Sequence, residues 1–369
     1  MKVGTVKEIK RHEFRVGLTP SNVSAYVAAG HEVFVQTGAG EGSSIADEDY
    51  IAAGAIILPT AEDVWDICDM IVKVKEPLKE EYALMKEDQI LYTYLHLAAD
   101  RPLTDALLER KVKAVAYETV TDSKGGLPLL KPMSEVAGKL SVQAGAHCLE
   151  KHMGGRGVLL GGVPGVSKAN VVVIGGGVVG KSAMKIALGF GANVMVLDNN
   201  LDTLSYLDDI WGQQIQTVYS TDYAIEQALI QADLVIGAVL IPGASAPKLI
   251  RRKYLSKMKP GSVIVDVAVD QGGCAETTKV TYHDDPTFVV DGVVHYCVAN
   301  MPSAVSKTST FALTNATLNY GLKIANMGLD EAVRDKHLLP GVSTYKGKLT
   351  CPEVARDFGM EYTPLSTLL

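Results

Sequence analysis

Residues 169–200 read ANVVVIGGGVVGKSAMKIALGFGANVMVLDNN, and the order of residue types in this stretch decides the fold. The apolar run 171–174 is long enough for a buried strand and too short for a helix. Gly175, Gly177 and Gly180 follow, spaced G-x-G-x-x-G. A helical pattern comes next, with Val179, Ala183, Ile186 and Ala187 on one face, and then a second strand over 193–197 that ends at Asp198. Gly175 lets the chain turn sharply, Gly177 lets backbone approach a pyrophosphate, and Gly180 lets the helix pack closely on the strand. The helix N-terminus then faces the phosphates, so Gly175, Gly177, Val178, Val179 and Gly180 are the expected phosphate-facing residues. Asp198 lies about 20 residues further on, where a carboxylate takes both ribose hydroxyls of NAD. The acid also disfavours NADP, whose 2′-phosphate would sit against it, and the next residues, Asn199 and Asn200, supply no cation.

The bland alternative is a glycine turn in an ordinary strand–helix–strand unit with Asp198 as a cap. A sharper one is a P-loop, since 175–182, GGGVVGKS, satisfies G-x-x-x-x-G-K-S. The acid at the end of the next strand and the dinucleotide spacing of the glycines argue for the first reading.

A chain of 369 residues, 47% hydrophobic, has room for two domains. A net charge of −7 carries no footprint for a polyanion, so nucleic acid is not an expected partner. No apolar run reaches membrane-spanning length, and 1–15, MKVGTVKEIKRHEFR, lacks a signal-peptide core. The five scattered cysteines form no C-x-x-C pair and read as reduced thiols of a cytoplasmic protein.

Strand and helix patterns alternate over the first 128 residues: strands over 2–7, 31–36, 70–74, 89–95 and 113–117, helices from Thr19-Pro20 and over 101–111. A long helix is expected over 134–153. After Asp198 the alternation resumes with helices over 202–210, 224–231 and 247–257 and strands over 214–219, 233–240, 262–269 and 287–294. A second long helix is expected over 303–327. The fold class is therefore α/β: two doubly wound, Rossmann-like domains with parallel sheets, joined by two long helices. The expected domains are 1–128 plus 308–369, for substrate and catalysis, and 129–307, for the nucleotide.

In open α/β sheets ligands bind beyond the carboxyl ends of the strands. That rule selects Arg15 after the first strand, Lys75 after MIVKV, His96 closing QILYTYL and Asp270 closing SVIVDVAV. An Arg clamps a carboxylate, a Lys bonds a carbonyl or shares the carboxylate, and a His moves the proton that accompanies hydride transfer. Each has a duller reading: a solvated charge for Arg15 and Lys75, a packing histidine for His96, a loop cap for Asp270. For metals, His147 shares a helix face with Lys151 but has no second ligand at i+4, and His283-Asp284-Asp285 do not converge, so no metal is expected.

These residues and the segments around them resemble the alanine dehydrogenase family, which is shared with the NAD-binding part of proton-translocating transhydrogenase. The marks are MKVGTVKEIKRHEFRVGLTP at the start, KVKEP at 73–77, YLHLA at 94–98, KPMSEVAGKLSVQAGA at 131–146, the glycine segment, VDVAVDQGG at 265–273 and VANMPSAV at 298–305. The resemblance implies NAD-dependent, reversible oxidative deamination of L-alanine to pyruvate and ammonium. It implies Arg15 and Lys75 on the substrate carboxylate and carbonyl, His96 as acid/base, and Asp270 handling water, ammonia and the carbinolamine. Around NAD it implies Ser134, Asp198, Ser220, Val239, Leu240, Val267, Ala268, Val269, Asp270, Val298, Ala299, Asn300 and Met301. It also implies a homohexamer. Thr203 and Lys279 stand where relatives often carry Arg, and Lys323 and Met327 where some carry a Glu/His metal pair. Two other readings are a transhydrogenase subunit, which passes hydride between nucleotides, and an NAD sensor without turnover.

Overall fold

The computed structural model describes residues 1–239 and 245–369. These fall into two compact units, Met1–Met133 with Ser303–Leu369, and Ser134–Pro302. The cuts at 133/134 and 302/303 each lie five residues from the expected 128/129 and 307/308.

The strands of the first unit, numbered along the chain, are β1 (Lys2–Thr5), β2 (Glu32–Gln36), β3 (Ile56–Leu58), β4 (Met70–Val72), β5 (Ile90–Thr93) and β6 (Lys113–Ala116). After the second unit come β14 (Val342–Tyr345) and β15 (Lys348–Leu349). Among the described residues they form one sheet in the order β15-β14-β6-β5-β4-β1-β2-β3. β1 to β6 pair in parallel, whereas β14 runs antiparallel to both β6 and β15. The sheet departs from the expected all-parallel form only at that edge. Its apolar strands are covered by Val64, Trp65, Leu103 and Leu107 from flanking helices. The helix Ser306–Met327 belongs wholly to this unit: Tyr92 donates its hydroxyl to the Thr317 carbonyl, and an added Cβ on Gly321 would meet the Tyr26 hydroxyl at 2.1 Å. It therefore does not join the units as expected; the chain re-enters the first unit in the short turn Met301–Val305.

The second unit holds β7 (Asn170–Ile174), β8 (Asn193–Asp198), β9 (Ile215–Tyr219), β10 (Leu234–Gly237), β11 (Val263–Asp266), β12 (Thr287–Val290) and β13 (Val293–Tyr296). Their order is β12-β13-β11-β10-β7-β8-β9, parallel except for the β12–β13 hairpin. The strand expected over 287–294 is thus two strands. Asp291 (φ 50°) and Gly292 (φ +79°) make the two-residue turn that an Asp-Gly pair favours. The helix expected over 247–257 shrinks to Arg252–Leu255, because Ile250 is captured by a parallel bridge to Ala275 and the Lys248 ammonium donates to the carbonyls of Gly273 and Ala275. The first long helix runs Lys131–Cys148 and stops short of Met153. Among the described residues no helix is long and apolar enough to cross a membrane.

Candidate active site

The first unit changes winding direction between β1 and β4, and ligands of such sheets bind at the carboxyl side of that switch. Arg15, Lys75 and His96 all lie there, beyond the ends of the adjacent strands β1, β4 and β5. The backbone around them is pinned by buried and half-buried acids that sequence reading did not single out. Glu8 accepts from the amides of Val74 (2.6 Å) and Lys75 (3.2 Å), and its other oxygen meets Lys73 at 3.1 Å. Lys73 also reaches Glu81 at 2.8 Å. Burial pushes the Glu8 carboxyl up, against the pull of Lys73, while Glu8 and Glu81 keep Lys73 charged despite its burial. Glu118 accepts from the amides of Leu95 (3.1 Å) and His96 (2.6 Å). That grip holds His96 in the left-handed region, φ 51° and ψ 37°, a conformation that is costly for a residue with a Cβ.

The His96 ring is half exposed, and its Nδ1 lies 3.7 Å from Glu76 Oε2. Glu76 is buried, and this oxygen has no hydrogen-bond partner among the described residues. Burial alone would raise the Glu76 carboxyl; His96, Lys75 and Lys10 outweigh it and hold it well below the usual carboxylate range. Lys10 bonds the other carboxylate oxygen. His96, Glu76 and Lys75 therefore form one electrostatic group. Tyr94 connects it to Arg15: its ring lies 5.9 Å from that of His96, and its phenol interacts with the Arg15 guanidinium. Arg15 is 2% exposed, with Nε and Nη2 on the Glu13 carboxylate at 2.7 and 2.6 Å and Nη1 against Met133 Sδ at 3.0 Å. Glu13 keeps the guanidinium charged against the cost of its burial.

In the second unit the switch lies between β7 and β10. Gly175, directly after β7, has φ +101°, and a Cβ there would meet the Ala238 carbonyl oxygen at 2.6 Å. Gly180 is packed harder still: its Cβ would lie 1.8 Å from the Gly175 carbonyl oxygen. Gly177 caps the helix Val178–Gly189 and is exposed with open space on its Cβ side, while Val178 and Val179 are half-buried beside it. Amides at the start of a twelve-residue helix thus border an open cradle, which fits a pyrophosphate. The Lys181 ammonium lies 4.9 Å over the Tyr206 ring rather than on the loop, unlike the lysine of a P-loop. Ser134 is on the helix Lys131–Cys148 one turn before Gly138, where an added Cβ would meet the Val179 carbonyl oxygen at 2.2 Å.

Asp198 ends β8, accepting from Gly176 N at 2.6 Å and Asn200 N at 2.8 Å, so each oxygen keeps acceptor capacity. Ser220 N donates to its carbonyl at 2.9 Å. Beside it an open depression of about 450 Å³ is lined by Asn199, Asn200, Leu201, Asp202 and Tyr219. Val239 follows β10, and Leu240 lies outside the described residues. Val267, Ala268 and Val269 follow β11 and lead into the exposed Asp270, whose Oδ2 is 3.5 Å from Asn300 N. Val298, Ala299 and Asn300 follow β13 and lead to buried Met301; Asn300 is left-handed at φ 56°. The 267–278 loop is shaped by another acid that sequence reading missed. Fully buried Asp266 accepts from the amides of Ala268, Cys274 and Ala275 and from the Thr278 hydroxyl. Its only sequence signal is an acid inside the apolar run VIVDVAV. Of the positions where relatives carry a metal pair, Lys323 is bonded to Asp335 at 2.7 Å.

Two family models cover the chain: the alanine dehydrogenase/PNT N-terminal domain over residues 4–137 and the C-terminal domain over 141–352. Alanine dehydrogenases from Methanococcus maripaludis and Mycolicibacterium smegmatis are 55% and 52% identical, each alignment covering 100% of both chains. A solved L-alanine dehydrogenase superposes with a TM-score of 0.95 at 53% identity, over 97% of this chain and 99% of that one. A transhydrogenase from Sinorhizobium meliloti, 23% identical with a TM-score of 0.85 over 95% of this chain and 100% of that one, shares the fold. The family and the Rossmann-like second unit imply a nicotinamide nucleotide cofactor. With both family models matched along the chain and full-length relatives above half identity, this protein belongs to the alanine dehydrogenase/PNT family of oxidoreductases.

Proposed function

We propose that the protein is an L-alanine dehydrogenase that uses NAD to interconvert L-alanine plus water with pyruvate plus ammonium. The observation that carries this reading is the group formed by His96, Glu76 and Lys75 at the switch point of the first sheet. A protein that only binds NAD or hands hydride to a second nucleotide has no need of an acid/base held against a buried carboxylate. The 55% identity to alanine dehydrogenases favours the same reading.

The cofactor is held by Gly175, Gly177, Val178, Val179 and Gly180 at the pyrophosphate and by Asp198 at the adenosine ribose, with 199–202 and Tyr219 around the adenine. Asp198 disfavours a 2′-phosphate, so NAD is the expected partner over NADP. Ser134, Ser220, Val239, Leu240, Val267, Ala268, Val269, Asp270, Val298, Ala299, Asn300 and Met301 complete the surroundings. When bound, the nicotinamide accepts a hydride from the substrate α-carbon.

Arg15 and Lys75 hold the substrate carboxylate and carbonyl. Nε and Nη2 of Arg15 bond the Glu13 carboxylate and Nη1 lies against the Met133 thioether, so the guanidinium is held in a fixed orientation, as recognition of a carboxylate needs. Loss of hydride from the α-carbon of the neutral amine leaves an iminium ion, to which water adds. His96 takes the proton from that water, giving a carbinolamine, and later returns one. Asp270 orients the water and the nitrogen. Collapse of the carbinolamine breaks the C–N bond and releases ammonia, leaving the carbonyl of pyruvate. Resemblance to the family further suggests a homohexamer working in the cytoplasm.

The residue assignment is tested by His96→Ala. NADH consumption with pyruvate and ammonium falls by about a hundredfold or more, while NADH binding followed by fluorescence is unchanged. Turnover near that of the parent would remove His96 from the mechanism.

A further inference from the structure

The helix Lys131–Cys148 ends one residue after His147, and the chain then doubles back through Lys151–Met153. Were the helix to continue to Met153, His147 and His152 would point in different directions, five residues apart. Instead the turn is locked by its own backbone: Glu150 N bonds the His147 carbonyl at 3.0 Å, Gly157 N the Leu149 carbonyl at 2.8 Å, and Gly155 N the Glu150 carbonyl at 3.1 Å. A Cβ on Gly155 would lie 2.2 Å from the Cys148 carbonyl oxygen, so this return requires glycine. It brings the side chains of His147, Glu150 and His152 to one exposed spot, their donor atoms all within 4.8 Å of one another.

His147 and Glu150 share a hydrogen bond, and both spacings are long for a charge-assisted bond and close to those of ligands on one ion. His147 Nδ1 lies 3.3 Å from Glu150 Oε1, and His152 Nδ1 lies 3.5 Å from Oε2. A charge-assisted N–H···O bond closes to about 2.8 Å. Two ligands on one zinc ion at about 2.1 Å, at a tetrahedral angle, are about 3.4 Å apart. The negative end of the helix favours a cation at this point. The side chains are between 53% and 66% exposed, leaving them room to close on an ion and leaving a coordination position for water.

We propose that His147, Glu150 and His152 form a binding site for a divalent cation of the zinc class, separate from the residues assigned to cofactor and substrate. Two imidazoles and one carboxylate suit Zn²⁺, Ni²⁺ or Cu²⁺ and are poor ligands for Mg²⁺, which prefers oxygen donors. The cation bridges the last helical turn to the Lys151–Met153 turn and stabilises the second unit. The neighbouring Cys148 is buried and is not one of the clustered side chains.

The test is isothermal titration of the EDTA-stripped, full-length protein with zinc chloride, and separately with magnesium chloride. One zinc per chain binds saturably, magnesium does not, and zinc raises the melting temperature. The double variant His147→Gln/His152→Gln abolishes the zinc heat, and Glu150→Gln weakens binding about tenfold or more, while both still bind NADH as the parent does. Absence of saturable zinc binding, or binding that survives in the double variant, overturns the proposal, as does equal binding of magnesium.

Discussion

Much of the chemistry at the residue scale turns on acids that the sequence does not advertise. Glu76 is the clearest case. It is buried, with one carboxylate oxygen held by Lys10 and the other set 3.7 Å from the His96 ring. Its carboxylate faces the ring that must move a proton. In Glu76→Gln, kcat/KM falls by about tenfold to a hundredfold, because the carboxylate that faces the ring is gone. NADH affinity stays that of the parent. An unchanged kcat/KM would mean that Glu76 serves only packing. His295 carries a prediction about stability. It is fully buried, bonded to Thr277 at 2.8 Å and to the Val293 carbonyl at 3.0 Å, and burial holds its ring below 6.5. The unfolded chain therefore takes up a proton on this ring before the folded one does. Stability that is full above pH 6.5 is lost as pH falls towards the folded value, by at most about 1.4 kcal/mol per pH unit. Melting curves between pH 7.5 and 5 should show a shallower decline for His295→Gln than for the parent; equal slopes would contradict this.

At the scale of elements, the glycine loop was the most legible part, because each glycine answers a different steric demand. Gly175 needs a positive φ and Gly180 needs contact with the Gly175 carbonyl. Gly180→Ala must displace either the loop or the helix start, so the NADH dissociation constant should rise about tenfold or more, equivalent to about 1.4 kcal/mol, with a lower melting temperature. Unchanged binding would mean that the loop does not carry the pyrophosphate. Other elements were misread for physical reasons. The Asp291-Gly292 pair between two apolar runs was itself a hairpin signal, but the runs on either side are so short that they were read as one strand. The helical pattern over 247–257 lost to tertiary pairing at Ile250 and to the Lys248 ammonium. The first long helix stops at Cys148 because the glycines at 154, 155 and 157 let the chain fold back on its end, which helical propensity cannot register.

For the whole molecule, strand-and-helix alternation made two sheets readable, and the rule that ligands lie beyond strand ends selected Arg15, Lys75, His96 and Asp270 from the sequence. What it could not supply was the support beneath them: Glu8, Glu13, Glu76 and Glu118 are acids whose surroundings depend on strands distant in sequence. Nor could it show that the first unit draws its core from both ends of the chain, with Ser306–Met327 packed on Tyr26 and Tyr92. The central claim is that this chain oxidises L-alanine with NAD. The most direct measurement is NADH formation at about 340 nm, where the reduced nicotinamide absorbs, with L-alanine or D-alanine as donor and NAD or NADP as acceptor. The account predicts NADH formation that requires L-alanine and NAD, with D-alanine inert and NADP poorly used. NADH that binds without any alanine-dependent reduction of NAD would contradict it and move the reading to a transhydrogenase subunit or a nucleotide sensor.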